Sequence, residues 1–305
     1  MKKFYVDIKG GLGYNLSFIR FAASVDTTKY QFYVRSPYWD VFEASSAIAG
    51  VYKPEEIRDF IFDAKNNNGT IIEHRLYDMD SFIKKEIDYQ EAWRQLLNIP
   101  KTDISKYEID FLDKVNIAWP NVANNVHEIY KSIGDSEYII VQFCGGQSPL
   151  DPVPNGDWSK KPYDYQHEPL KRHYPTDRAQ MFTNIYKKAH PEVKIIQYAL
   201  PNEPLLNNCE HFVVPYLAYY ELAKNPKCKG FVSIDSSLQH LITGLTKGTV
   251  IWGHSLPENF GYKDNKNIVQ NCRRDDILYF TELGPSGAKI DYISPEELFK
   301  AVEEK

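Results

Sequence analysis

The stretch Gly230–Tyr262, GFVSIDSSLQHLITGLTKGTVIWGHSLPENFGY, decides how the rest of the chain is read. Phe231 to Ile234 is an apolar run of strand type, followed at once by the polar turn Asp235-Ser236-Ser237. Ser236 and Gln239 have capping-box spacing, which predicts a helix start. Leu238, Leu241, Ile242 and Leu245 recur at i, i+3, i+4 and i+7, one apolar helix face. Gly244 or Gly248 can end that helix. Thr249 to Trp252 is a second buried strand, and Gly253 opens a loop. A strand that turns into a helix start brings backbone N–H groups and the positive dipole end to the strand's carboxyl edge, a place suited to phosphate. Many βαβ units have such a turn and bind nothing there.

Working outward, the second half of the chain repeats this alternation. Tyr138 to Phe143 is a continuous apolar strand that ends in Cys144-Gly145-Gly146. Pro149 to Pro175 has little periodicity and closes with Leu170-Lys171-Arg172-His173-Tyr174-Pro175; a loop of that length in a compact domain is usually functional or disordered. A helix is predicted over 179–190, a strand over 193–199, a loop carrying Glu203, a short strand over 209–214, a helix over 218–224 and a strand over 267–270. Ser294-Pro295-Glu296-Glu297 starts an N-capped final helix.

The N-terminal half opens the same way. Phe4 to Ile8 is a strand, and Gly10-Gly11-Leu12-Gly13 is a tight turn into a helix reaching about Ser24. The turn lacks the GxGxxG spacing of a dinucleotide fingerprint. Gln31 to Arg35 is the next strand, Trp39 to Gly50 and Pro54 to Lys65 read as helical, and Thr70 to Leu76 as a strand carrying Glu73 and His74. Asp110 to Trp119 reads as a strand or strand pair, and Asn121 to Ile133 as a helix with Val122, Val126 and Ile129 on one face. Two α/β halves, each opening with a strand and a small-residue turn, predict two doubly wound Rossmann-like domains facing a cleft.

Composition narrows the function classes. The 305 residues are 43% hydrophobic and 25% charged, with a net charge of -5, so no basic footprint marks the chain for nucleic acid or an anionic membrane. Four scattered cysteines lack CxxC spacing and read as free thiols. No apolar run approaches the roughly 20 residues of a membrane span, and the first residues lack a signal-peptide core; the expected location is cytoplasmic. Asp78-Met79-Asp80 has DxD spacing but sits in a charged, helix-like stretch, so no metal site is read there.

The order of these elements resembles the heptosyltransferase-like glycosyltransferases, family 9, of the GT-B fold. Val141 to Gly146 is followed by Arg172-His173-Tyr174-Pro175 where the family has Lys-x-Trp-Pro. Asp235-Ser236-Ser237-Leu238-Gln239-His240-Leu241 then resembles the family's Asp-Ser-Gly-x-x-His-Leu. The likeness covers most of 138–262 and the rest in outline. It implies an acceptor-binding domain at 1–134, a nucleotide-sugar-binding domain at 135–285 and a C-terminal helix at 286–305 packing back on the first domain. It implies an inverting, metal-independent transferase with no cofactor, whose substrates are a nucleotide-diphosphate sugar and a saccharide acceptor. Gly145, Gly146, Ser236, Ser237 and His240 would hold the donor diphosphate, Asp235 the turn or a ribose hydroxyl, and Glu203 a ribose or base. Arg172 and His240 would meet charge on the leaving group. Gly11, Gly13, Tyr14 and His74 would line the acceptor side.

Two departures stand out. Where the family's opening motif carries an Asp, taken as the base, this chain has Tyr14. A phenol with a pKa near 10 is a poor base at neutral pH, which leaves Asp7, Glu73 and His74 as bases to weigh. Ser237 also stands where the family has Gly. The Asn-, Lys- and Tyr-rich composition would also suit a phage enzyme that glycosylates hydroxymethylated bases of DNA, against which the acidic net charge counts and for which Lys160, Lys161, Lys171, Arg172 and His173 would be a local basic patch. A nucleotide- or sugar-binding module without turnover is the third reading.

Overall fold

The computed structural model describes residues 1–105, 110–145, 173–200, 203–252, 257–269 and 293–304. The chain forms two compact units, Met1–Asn121 and a second starting at Val122.

In the first unit the elements are β1 (Lys2–Asp7), α1 (Leu12–Ser24), β2 (Tyr30–Arg35), α2 (Trp39–Phe42), β3 (Ile48–Tyr52), α3 (Ile57–Asn66), β4 (Thr70–Glu73), α4 (Asp80–Ile83), α5 (Tyr89–Leu96) and α6 (Val115–Ala118). Four parallel strands lie in the order β3-β2-β1-β4. Parallel strands need a crossover between neighbours, so helices cover the sheet and both faces become core. The alternation of β1 shows this directly. Phe4 pairs in register with Phe32 and meets it at 5.9 Å, and Phe32 meets Phe18 of α1 at 5.7 Å. Tyr5, pointing to the other face, stacks on Tyr33 at 4.6 Å and meets Phe60 of α3 edge-on at 5.5 Å.

Two sequence expectations fail here. Residues 39–50 form a four-residue helix and then the start of β3, because Ile48, Gly50 and Val51 are drawn into register beside β2. Over 110–119 there is no strand among the described residues: α6 follows coil, and Phe111 is buried under the Arg20 guanidinium at 4.3 Å. Pattern alone does not separate a short apolar strand from a short buried helix.

The second unit contains α7 (Asn121–Ile133), β5 (Tyr138–Gln142), α8 (Thr176–Ala189), β6 (Lys194–Gln197), β7 (Glu210–His211), α9 (Leu217–Lys224), β8 (Cys228–Ile234), α10 (Ser237–Ile242), β9 (Gly248–Trp252), α11 (Pro257–Phe260), β10 (Asn265–Val269) and α12 (Pro295–Glu303). Its six strands are all parallel, in the order β10-β9-β8-β5-β6-β7. β5 and β9 are buried at every residue, as their unbroken apolar runs require. One sheet face packs Ile139, Val141, Ile195, Val232 and Ile234 with Phe182 of α8 and Leu298 of α12. On the other, Tyr138 donates to the Leu222 carbonyl of α9 at 2.8 Å.

The final helix is a correction. It was expected to cross back to the first domain, but α12 packs on α8 and β10 of the second unit. Its start is tied there by Tyr174, whose hydroxyl donates to the Ile293 carbonyl at 2.9 Å, and by the Ser294 side chain, which caps the Glu297 N–H at 3.1 Å. The unit boundary precedes α7, whereas the sequence places it after, at 134. The buried face of α7, Val122, Val126, Ile129 and Ile133, belongs to the second core. Among the described residues no helix is long and apolar enough to cross a membrane.

The first strand-to-helix turn depends on one glycine. A Cβ at Gly10 would lie 2.4 Å from the Tyr14 ring, so the ring packs over bare backbone. Gly10→Ala is expected to destabilise the fold by about 1–3 kcal/mol in chemical denaturation, and adding Tyr14→Ala to recover part of that loss.

Candidate functional site

The strand order of the second unit reverses between β5 and β8. The chain runs outward from β5 through β6 to β7, then returns to β8 on the other side of β5 and runs outward to β10. In open parallel sheets the loops leave such a pair of strands in opposite directions, and the crevice at their carboxyl ends is where ligands bind. Here those ends are Gln142-Phe143-Cys144-Gly145 and Ile234-Asp235-Ser236.

The two ends are joined side chain to side chain. The Ser236 hydroxyl donates to Gln142 Oε1. Gly145 lies against the same turn: a Cβ on it would come within 3.3 Å of both Ser236 Cβ and Ile234 Cδ1. The expected capping box is therefore absent. Ser236 is the N-cap residue of α10 but makes no side-chain cap, and Gln239 donates instead to Asp235 Oδ1 at 2.6 Å. Asp235 is thereby fixed at the turn, and the Ser236 hydroxyl is spent on the neighbouring strand.

Three further groups surround this edge. His173 is buried beside β5: the following residue, Tyr174, donates its N–H to the Phe143 carbonyl at 3.0 Å. Burial pushes the His173 pKa down to about 4, against the pull of a hydrogen bond with the Gly145 backbone. The ring is neutral at pH 7 and pins the end of the β5 turn. Glu203 follows β6 and is only 5% exposed. Its Oε2 accepts from the Leu200 N–H at 2.8 Å, and its buried Oε1 has no partner among the described residues. Burial raises its pKa to about 7. It lies close enough to Cys144 to help raise that thiol, which burial alone already pushes up. His240 is buried on α10, one turn beyond Ser236, and its Nδ1 is 2.8 Å from the Tyr262 hydroxyl.

The structure thus brings Gly145, Asp235, Ser236 and Ser237 to one edge, with His240 on the helix that starts there and Glu203 beyond the next strand. Arg172 and Gly146 lie outside the described residues, as do 149–172 of the long loop. Gln142 and Tyr262 were missed. Gln142 had a signal, being the polar last residue of an apolar strand ahead of a small-residue turn. Tyr262 had none, since only the fold brings it to His240.

The first unit gathers the other group of expected residues at its own carboxyl edge. His74 follows β4 and donates its backbone N–H to the Asp7 carbonyl at the end of β1, at 3.1 Å. Gly11 is the N-cap of α1 and Gly13 lies in its first turn; Asn15 holds the loop by donating to the Gly10 and Gly11 carbonyls at 3.1 and 2.7 Å. Tyr14 stacks on Tyr89 at 5.6 Å and its hydroxyl accepts from that of Tyr77. His74 Nε2 is 2.8 Å from the Tyr89 hydroxyl, and its ring stacks on Trp93 at 5.3 Å. Burial lowers its pKa to about 4, so it too is neutral at pH 7. Asp7 is engaged by the largely buried Arg35 at 2.7 Å and by the exposed Lys9 at 3.6 Å. Glu73 is exposed and paired with Arg75.

Glu203 gives a test with a definite sign. A carboxyl group whose folded pKa exceeds its unfolded value costs stability as pH rises, here from about 4.5 to about 7. Glu203→Gln is expected to match the parent at pH 4 and to exceed it by up to about 3 kcal/mol at pH 8 in urea melts.

No family model matches this sequence, and no curated protein matches it. Solved structures do match. A glycosyl transferase family 9 protein from Veillonella parvula aligns over 99% of this chain and 96% of its own, with a TM-score of 0.66 and 13% identity. The E. coli ADP-heptose LPS heptosyltransferase II aligns over 100% and 98%, at 0.58 and 10%. The E. coli heptosyltransferase WaaC bound to ADP-2-deoxy-2-fluoro heptose aligns over 99% of each chain, at 0.51 and 11%. With two parallel α/β units and this alignment along its whole length, the chain has the GT-B fold seen in the family 9 glycosyltransferases.

Proposed function

We propose that this protein is a glycosyltransferase that moves a sugar from a nucleoside-diphosphate sugar to the hydroxyl of a saccharide acceptor, with inversion and without a metal. One observation carries this reading: polar and small residues converge at the strand-order reversal of the second unit, in a chain with the family 9 fold. Neighbouring structures hold ADP and an ADP-heptose analogue, which makes ADP-heptose the first donor to test.

In this reading the backbone around Gly145, Gly146, Ser236 and Ser237 receives the diphosphate, where the absence of bulk lets phosphate approach. Glu203, with one oxygen unpartnered among the described residues, accepts from a ribose hydroxyl or the base. The acceptor oxygen attacks the anomeric carbon as the bond to the diphosphate breaks, and the electron pair leaves on the nucleoside diphosphate. Arg172 and His240 meet that developing charge, so the charge compensation a divalent ion would give comes from side chains and N–H groups. Gly11, Gly13, Tyr14 and His74 serve the acceptor side. Tyr14 does not act as the base; its hydroxyl is already joined to that of Tyr77. Asp7 is engaged by Arg35, Glu73 by Arg75 and His74 Nε2 by the Tyr89 hydroxyl, and burial makes His74 a weak base, so the proton acceptor is to be sought among three groups that each already have a partner.

The occupied Tyr14 position also favours a second reading, a nucleotide-sugar-binding module without turnover. A panel of nucleotide sugars separates the two. Released nucleotide in the presence of a saccharide acceptor is expected, and a melting shift without release over long incubation would establish the module instead. His240→Ala and Arg172→Ala are each expected to lower kcat by ~100-fold or more while still melting in one cooperative transition. Full activity in both would remove the donor-site assignment.

A further inference from the structure

The second unit carries a cavity at the edge opposite its strand-order reversal. All six strands are parallel, so their amino ends share that edge. A cavity of about 270 Å³ opens there, between the starts of β5 and β8 and the ends of α8 and α12. Ile139, Val193, Val232 and Val302 make its apolar wall. Tyr186 of α8 lines it too and is only 5% exposed. The Tyr186 hydroxyl makes no hydrogen bond among the described residues, and it is not one of the fully enclosed polar atoms, so it stands open to the cavity. A polar group held this deep without a protein partner is satisfied by what occupies the space in front of it.

The charges around that hydroxyl narrow the occupant. Burial, and after it the charges of Glu303, Glu137 and Glu192, push the Tyr186 phenol up to about 12, so three carboxylates face a hydroxyl that stays neutral. Two of them are partly engaged: His190 Nε2 lies 2.9 Å from Glu303, and Lys229 lies 2.5 Å from Glu137. Glu192 is exposed, lines the cavity and forms no ion pair among the described residues. This end is therefore rich in hydrogen-bond acceptors and lacks one counter-charge. The other end is basic. Lys247 lines the cavity just before β9, is exposed, and also forms no ion pair among the described residues. Glu192 precedes β6, and β8 and β5 lie between β9 and β6, so the two chain positions are about 14 Å apart by strand spacing.

We propose that this cavity binds a small aliphatic molecule with a primary ammonium at one end and a neutral or anionic group at the other. The ammonium meets the Tyr186 oxygen and the Glu192 carboxylate, the aliphatic chain lies along the valines, and the far end faces Lys247. An ammonium brings three N–H donors and the missing positive charge to that set of acceptors. A hydroxyl brings one donor and no charge, and an anion is repelled by the carboxylates. The site belongs to the second unit alone, at the other end of the strands from the proposed donor site, and does not depend on that reading.

Titration of the full chain with 6-aminohexanoate, hexylamine and hexanoate, followed by ligand-observed NMR, tests it. The zwitterion is expected to bind at least as tightly as hexylamine, and hexanoate ~10-fold or more weakly than either. Glu192→Gln is expected to weaken both amines by ~3–10-fold, and Tyr186→Phe, which keeps the ring in the core, by ~3-fold or more. If Tyr186→Phe melts below the parent, Glu192→Gln at its exposed position carries the test alone. Hexanoate affinity within about threefold of the amines, or amine affinity within about twofold of the parent in Glu192→Gln, would overturn the proposal. So would competition by ADP, which would place the amine at the opposite edge, or the failure of both amines to saturate.

Discussion

The constraint on which the rest depends is that both sheets are wholly parallel. A parallel strand pair cannot be closed by a hairpin, so each strand is followed by a crossover, and the helices of those crossovers seal both sheet faces. Every strand then points its carboxyl end to one edge. In the second unit the reversal between β5 and β8 parts the loops at that edge, which is why small and polar residues, costly inside the sheet, are gathered there.

The hydrogen bond from Ser236 to Gln142 is the local expression of that constraint. It joins two turns that are far apart in sequence and close only because β5 and β8 are neighbours. The same adjacency explains why Ser236 does not cap its own helix. A cap stabilises six residues of α10, whereas the cross-strand bond sets the shape of the edge itself.

In the first unit the corresponding edge is filled differently. Tyr14, His74, Tyr77, Tyr89 and Trp93 form a continuous aromatic cluster, with the Tyr14 ring over Gly10. An acidic residue at position 14 would be set against those rings, in surroundings that disfavour its charge. Substitution at that position and the aromatic packing around it are therefore one feature. The neutral state of His74 follows from the same burial.

Much of this was legible in the chain itself. The apolar runs of β1, β5, β8 and β9, the glycine turn after β1, the small-residue turn after β5 and the Ser294 cap of α12 all have local causes, in burial on two faces, backbone freedom and capping geometry. The turn at Asp235 and Ser236 could be read from pattern as a possible anion site, and the resemblance to family 9 is what singled out Ser237, Gly145 and Glu203 beside it. Sequence did not decide what competes for a side chain once the strands are placed. It read Ser236 as a cap, residues 39–50 as one helix, residues 110–119 as strand, and α12 as a helix returning to the first unit. Each outcome turned on a tertiary partner: Gln142 for Ser236, β2 for β3, Arg20 for Phe111, and α8 with Tyr174 for α12. The local chain determines which elements form and where turns lie, because those depend on neighbours a few residues away; the tertiary structure decides which polar groups meet, because a buried hydrogen bond is settled by whichever partner the fold brings within reach.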